Sequence, residues 1–295
     1  MLLLLARQAD GLARMLQRSG IRLAGPRVAV PVTGRVLLHC RGVMLMKRRS
    51  SLIHAGATAL ALFTVLPLSA AAGSVTGAAG LVSDYLFRGL SQTNRQAALQ
   101  AGAEYDHDSG WYAGGWGSNI SWLSDSSSPA QPVSSSLEWD VYTGWRGHVD
   151  DDWSLDAGLY AYGYPGSYPR GYTRPHTLEG YAALGWKSLS LKYSRTFGNL
   201  FGVADSHGSG YVDLSWNPAI NADWTFNAHV GHQAVAHHDG LGYSDWKLGV
   251  TRTFAKGWSV ALGYYDTNAR RSAYTNAQGH YLGRATGVLG VAKAF

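Results

Sequence analysis

One cysteine stands in the 295-residue chain, at position 40, so residues 46–295 can form neither a disulfide nor a thiolate metal site. Charge is scarce too: Asp, Glu, Lys and Arg make up 15%, against roughly 25% in soluble domains. There are only 9 prolines. The apolar run at residues 55–66 falls short of the ~20 residues a membrane-spanning helix needs. What is plentiful is glycine (37), tyrosine (17) and tryptophan (11). Few charges with abundant Gly, Trp and Tyr suit a sheet that meets lipid on one face and crowds small residues on the other.

The basic balance does not argue for nucleic acid. Residues 1–73 carry ten Arg and Lys against Asp10 alone, and the remainder holds fifteen bases and eighteen acids. The high pI thus belongs to a leading segment, and no nucleic-acid partner is expected. From Met46, that segment reads Lys47-Arg48-Arg49, an apolar run from Ala55 to Leu66, then Ser69-Ala70-Ala71-Ala72. A charged start, about a dozen apolar residues and small residues at the end make a cleavable signal peptide over 46–72. The general secretory route is expected in preference to the twin-arginine route, because barrel precursors cross the inner membrane unfolded. Residues 1–45 read as an extension upstream of the true start, and 73–295 as the mature domain.

Beyond Ser74, apolar and polar residues alternate with the period of a strand. Trp224, Phe226, Ala228 and Val230 alternate with Thr225, Asn227, His229 and Gly231; Trp246, Leu248 and Val250 alternate with Lys247, Gly249 and Thr251. Trp153, Leu155, Ala157 and Leu159 behave alike, as do Leu137, Trp139 and Val141. At helical spacing these residues would scatter around the axis. Short turn signals (108–110, 150–152, 221–223, 256–257) alternate with long polar stretches (124–136, 165–175, 202–210, 236–243, 267–283). Short turns at one end and long loops at the other are the habit of transmembrane barrels. The fold class predicted is all-β, a transmembrane antiparallel up-and-down barrel of about 12 strands, with 10–14 compatible with the pattern. A soluble sandwich also alternates. Against it stand aromatic residues near strand ends (Trp111, Tyr112, Trp122, Trp153, Trp224, Trp258) and a final segment, 286–295, that reads as a strand ending on Phe295. In lipid an unpaired sheet edge is prohibitively costly, so this strand should close the barrel, against 83–88.

The segment Val82-Ser83-Asp84-Tyr85-Leu86-Phe87-Arg88-Gly89-Leu90-Ser91-Gln92-Thr93 resembles the opening motif of the TorF family of porin-type barrels. The resemblance continues through Ser109–Gly114, Trp116–Asn119, Leu137–Asp140, Tyr162–Gly166, Ala228–His232 and Ser244–Val250, covering 75–295. It implies an outer-membrane barrel with lipids around it, small hydrophilic solutes passing through, and periplasmic chaperones and the barrel assembly machinery bringing it there. In such barrels a C-terminal aromatic residue is read by that machinery. Phe295, Val291 and Leu289 fit; Lys293 departs from the usual apolar residue.

Charges in a spanning strand belong inside, since lipid exposure costs several kcal/mol. The candidate lumen charges are Asp84, Arg88, Glu104, Glu138, Asp140, Asp156, Lys192, Asp213 and Lys247, with Asp84 and Arg88 sharing one face of a strand. Structural pairing across strands competes with a role in permeation. No cofactor, metal or catalytic residue is expected. His229 and His232 are three apart and face opposite sides, His237-His238-Asp239 reads as a solvated loop, and Asp150–Asp152 lacks the ligand spacing of a calcium loop. Neither a nucleophile elbow nor a metalloprotease motif is present. The expectation is a narrow passive channel and not an enzyme; a closed-lumen barrel acting through an active site or surface loops is the competing reading.

Overall fold

A computed structural model describes residues 73–295; the extension and signal peptide expected over 1–72 lie outside the described residues. In chain order the strands are β1 (Gly73–Val82), β2 (Leu86–Phe87), β3 (Leu90–Ser91), β4 (Ala98–His107), β5 (Trp111–Asn119), β6 (Leu137–His148) and β7 (Trp153–Gly163). There follow β8 (Thr177–Trp186), β9 (Leu189–Thr196), β10 (Gly210–Trp216), β11 (Trp224–Ala234), β12 (Tyr243–Thr253), β13 (Trp258–Thr267) and β14 (Thr286–Ala294). Two three-residue 3-10 turns are the only helical pieces among the described residues. Strands β1 and β4–β14 form a closed, wholly antiparallel twelve-stranded barrel in which neighbours in sequence are neighbours in space. The tiny pair β2–β3 stands apart from the wall.

Closure is made by β14 on β1, in register from Ala78↔Ala294 to Val82↔Gly290. That corrects the expectation that residues 83–88 would form the closing partner. Only Ser83 continues the ladder, donating its N–H to Leu289 O at 2.9 Å, and the chain then leaves the wall. Phe295 extends the seam at the other end, exchanging two backbone hydrogen bonds with Gly77.

The connections sort by end. Residues 108–110, 149–152, 187–188, 217–223 and 254–257 join strands at one end; 83–97, 120–136, 164–176, 197–209, 235–242 and 268–285 join them at the other. Tight turns need left-handed backbone. Gly110 supplies it at φ 92°, where a Cβ would also collide with the main-chain oxygen of Arg146.

Alternation puts large apolar residues outside. Leu81, Leu99 and Leu262 are each more than half exposed (56%, 59% and 58%), and Leu137, Val141, Leu159, Leu248 and Leu289 share that surface. A water-facing sheet would not carry so continuous an apolar belt, whereas lipid requires one. Trp111, Trp153, Trp186, Trp216, Trp224 and Trp258 ring the short-turn end, with Trp139, Trp246 and Tyr264 nearer the other. Of the aromatics expected in these girdles, Tyr112 instead faces the interior and Trp122 lies in a long connection against Tyr164, at 5.6 Å between ring centroids.

Candidate functional site

Charge is partitioned sharply between the two faces of the wall. Four charged strand residues face outward (Arg195, Arg252, Asp266 and Lys293), and each is the penultimate residue of its strand. At that depth a side chain reaches the membrane surface. Lys293, the odd residue of the terminal pattern, is one of them, and it bonds the main-chain oxygen of Ala294. All other charged strand residues face the interior. Glu104 (β4), Glu138 and Asp140 (β6), Asp156 (β7), Lys192 (β9), Asp213 (β10) and Lys247 (β12) are among them, together with Asp106, Arg146, Glu179 and Asp245, which inspection of the sequence passed over. Parity could have found these. Glu179 follows outward Leu178, and Asp245 lies two residues before Lys247 on the same face.

Interior residues grade from buried to half-exposed along the barrel axis. Glu138, Asp140, Glu179, Gln233 and Asp245, near the long connections, are 2–3% exposed. Arg146, Asp156, Lys192, Asp213 and Lys247, nearer the short turns, are only half-buried. The lumen is therefore filled at one end and opens as a vestibule at the other.

The filling is the segment that carries the family-like motif. Asp84 and Arg88 do not share a strand face, because neither lies in a strand: Asp84 follows the end of β1, and Arg88 opens the turn between β2 and β3. Arg88 (φ 48°) and Gly89 (φ 75°), the two turn residues, are both left-handed, and a Cβ on Gly89 would lie 2.5 Å from Cβ of Asp245. The result is a hairpin pushed into the barrel. Asp84, 4% exposed, holds its base: Oδ1 accepts from Ser91 Oγ at 2.7 Å and lies 3.2 Å from Thr93 Oγ1, which accepts the Tyr85 N–H at 3.1 Å. Burial pushes the Asp84 carboxyl above its ordinary range, against those hydrogen bonds. The hairpin is bolted to two long connections, through Ser91 N–H to Leu282 O, Arg95 to Tyr281 O, and Gln92 O to the N–H groups of Ser121 and Trp122.

At the tip, Arg88 crosses to the far wall. Its guanidinium donates to Glu179 Oε2 at 2.7 Å and Gln233 Oε1 at 2.8 Å, with both members of the ion pair under 10% exposed. It also lies over the rings of Tyr211 (4.3 Å) and Phe87 (4.8 Å). Phe87 packs edge-on against Tyr162 and Phe201, and Tyr85 against Trp116. With Ile120, Leu123, Val133 and Tyr164 these rings make a hydrophobic core inside the barrel. Beneath it Tyr164 donates to Glu138 (3.1 Å) and Tyr160 to Asp140 (3.0 Å).

Two polar networks occupy the inner wall on the vestibule side, the second reaching back to buried Asp245. In one, Arg146 pairs with Glu104 (2.9 Å) and Asp106 (3.6 Å) and covers Tyr112. Tyr112 donates to Asp156 at 2.6 Å and touches the Tyr181 hydroxyl, over whose ring Lys192 lies at 3.8 Å. In the other, His229 sits between Asp213 (2.7 Å) and Asp245 (2.8 Å), and Tyr211 also donates to Asp245. Lys247 lies 5.5 Å from the Tyr265 ring centre. Carboxylates outnumber cations on the interior surface as a whole.

Among solved structures, a porin titled KdgM superposes with a TM-score of 0.47 at 8% identity, covering 75% of this chain and 98% of its own. The NanC porin gives 0.46 at 12% identity, with 75% and 99% covered. The outer membrane protein OprD from Pseudomonas aeruginosa gives 0.34 at 10% identity, with 74% and 65% covered. No curated protein sequence matches the chain. A family model described as a bacterial protein of unknown function, Gcw_chp, matches residues 69–295, and the chain belongs to that family.

Proposed function

We propose that this barrel is an outer-membrane channel for small hydrophilic solutes or ions, narrowed by its inward hairpin. One observation carries the reading: strand charges line the interior, and those outside stand one residue from a strand end. Such a wall is stable in lipid only if the middle of its outer face is apolar, and the polar interior then offers a path for water and solutes. Twelve strands lie between the eight whose interior side chains can fill and the sixteen to eighteen of wide porins. The likeness of the hairpin motif to the TorF family supports the same reading.

Export fits this function. The signal peptide over 46–72 would deliver residues 73–295 through the general secretory route, with 1–45 upstream of the functional start. Periplasmic chaperones and the assembly machinery would receive it, the latter by way of Phe295. Asp84 serves the hairpin's architecture, whereas Glu104, Asp156, Lys192, Asp213 and Lys247 line the solute path.

A second reading has its own support. The hydrophobic core around Tyr85, Trp116 and Leu123 fills the long-connection end, as a closed barrel that binds through its surface loops would require. Single-channel recording in a planar bilayer separates the two. Discrete conductance steps are expected from protein whose gel mobility shifts on heating; folded protein that never conducts would reject the channel and leave the closed barrel.

A further inference from the structure

Beyond the lumen, two long connections bring together side chains that lie some thirty positions apart in the sequence. Asp205 and His207 stand on 197–209 and His237 on 235–242, and one potential ligand atom from each lies within 4.8 Å of the others. The two imidazole rings are 5.5 Å apart between centroids, and Nδ1 of His237 is 3.4 Å from the Asp205 carboxylate. All three side chains are exposed.

The backbone beneath them is fixed. Ser206, between the first two, is completely buried; its Oγ accepts the Leu200 N–H at 2.8 Å and donates to Val203 O at 2.6 Å, and its own N–H donates to Asn199 Oδ1. Ser209 Oγ ties the loops together, donating to Ser206 O and accepting the Ala236 N–H. Asp205 (φ 52°) and His237 (φ 61°) are both held in the left-handed region, which costs energy at a non-glycine residue. His237 Nδ1 lies 2.9 Å from the main-chain oxygen of Asp205. A hydrogen bond there places the ring proton on Nδ1 and leaves the Nε2 lone pair, as is usual for a metal-bound imidazole. The neighbouring His238 is occupied with Ala204 O.

We propose that Asp205, His207 and His237 bind a divalent transition-metal ion of the zinc class, joining the two loops. Two imidazoles and a carboxylate suit zinc or copper and not calcium or magnesium, which take oxygen ligands. Three protein ligands leave a position for water, and the exposure of all three side chains leaves them room to turn toward a shared ion. The run His237-His238-Asp239 reads in sequence as a solvated loop; the fold takes His237 from it and sets it beside Asp205 and His207 of the other loop.

The test is titration of the refolded, tag-free barrel in detergent with zinc chloride alone. One ion per chain is expected. His207→Ala and His237→Ala should each weaken binding by more than about tenfold, since even partners outside the ligand set carry that much. His238→Ala should bind as the parent does. Asp205→Asn provides a further variant should either histidine substitution disturb the heat-dependent gel shift. Zinc binding that is absent, or that persists unweakened in the folded ligand variants, overturns the proposal.

Discussion

Arg88 and Glu179 form the contact on which the closed end of the lumen depends. Both are buried, and Gln233 and Tyr211 complete the surroundings of the guanidinium. Removing one member of a buried pair strands the other charge, at about 3–5 kcal/mol. Arg88→Met should therefore release the hairpin tip while the wall stays intact, and single-channel conductance should rise; unchanged conductance would mean that the hairpin does not limit flow. Asp84 calls for a different comparison. Asp84→Asn keeps an oxygen acceptor for Ser91 and Thr93 and removes a charge that burial opposes, so its urea midpoint should stay near the parent's. Asp84→Ala leaves the buried Ser91 hydroxyl without its acceptor, Thr93 keeping Gln96 O, and should cost about 1–3 kcal/mol. Equal losses in the two variants would show that charge, not acceptor geometry, holds the hairpin base.

Individual strands act as membrane elements, each with an outer face graded by depth. Leu262 lies near the middle of β13 and is 58% exposed, whereas Lys293 is one residue from the end of β14 beside Trp258 of the neighbouring strand. Leu262→Arg should lower folding stability in lipid vesicles by about 2–4 kcal/mol, and Lys293→Leu should change it by no more than about 1 kcal/mol. Similar effects from both would contradict a lipid-facing belt. The strands were legible in sequence because a period of two needs no partner to be seen. The hairpin was not: Tyr85, Leu86 and Phe87 are residues that strands favour, and the reversal depends on left-handed backbone at Arg88, a conformation that residue type does not announce.

Across the whole molecule, charge balance sets a preference. Interior carboxylates, from Glu104 and Asp106 through Asp213 and Asp245, outnumber Arg88, Arg146, Lys192 and Lys247, although several are tied up in pairs. A conducting barrel should thus be modestly cation-selective, with a reversal potential in a potassium chloride gradient displaced toward the potassium equilibrium value. Anion selectivity would place the solute path away from these carboxylates. The gradient of burial gives the molecule polarity: a half-open vestibule at the short-turn end, a filled lumen beneath the long connections.

Sequence alone determined the class of the molecule, because alternation, turn spacing and the scarcity of charge follow from local chemistry and from what lipid tolerates on one face of a strand. Parity along a strand also suffices to mark Glu104, Glu138, Asp140, Asp156, Lys192, Asp213 and Lys247 as one-faced, and the same rule extends to Asp106, Arg146, Glu179 and Asp245, which are not among the lumen charges predicted from sequence. Only the tertiary structure decided where the chain leaves the wall, that Arg88 reaches Glu179 and Gln233 on the opposite side, and that Asp205 and His207 meet His237. Those pairings join residues 30 to 145 positions apart. Barrel closure and loop packing set such distances, and no local period in the chain encodes them.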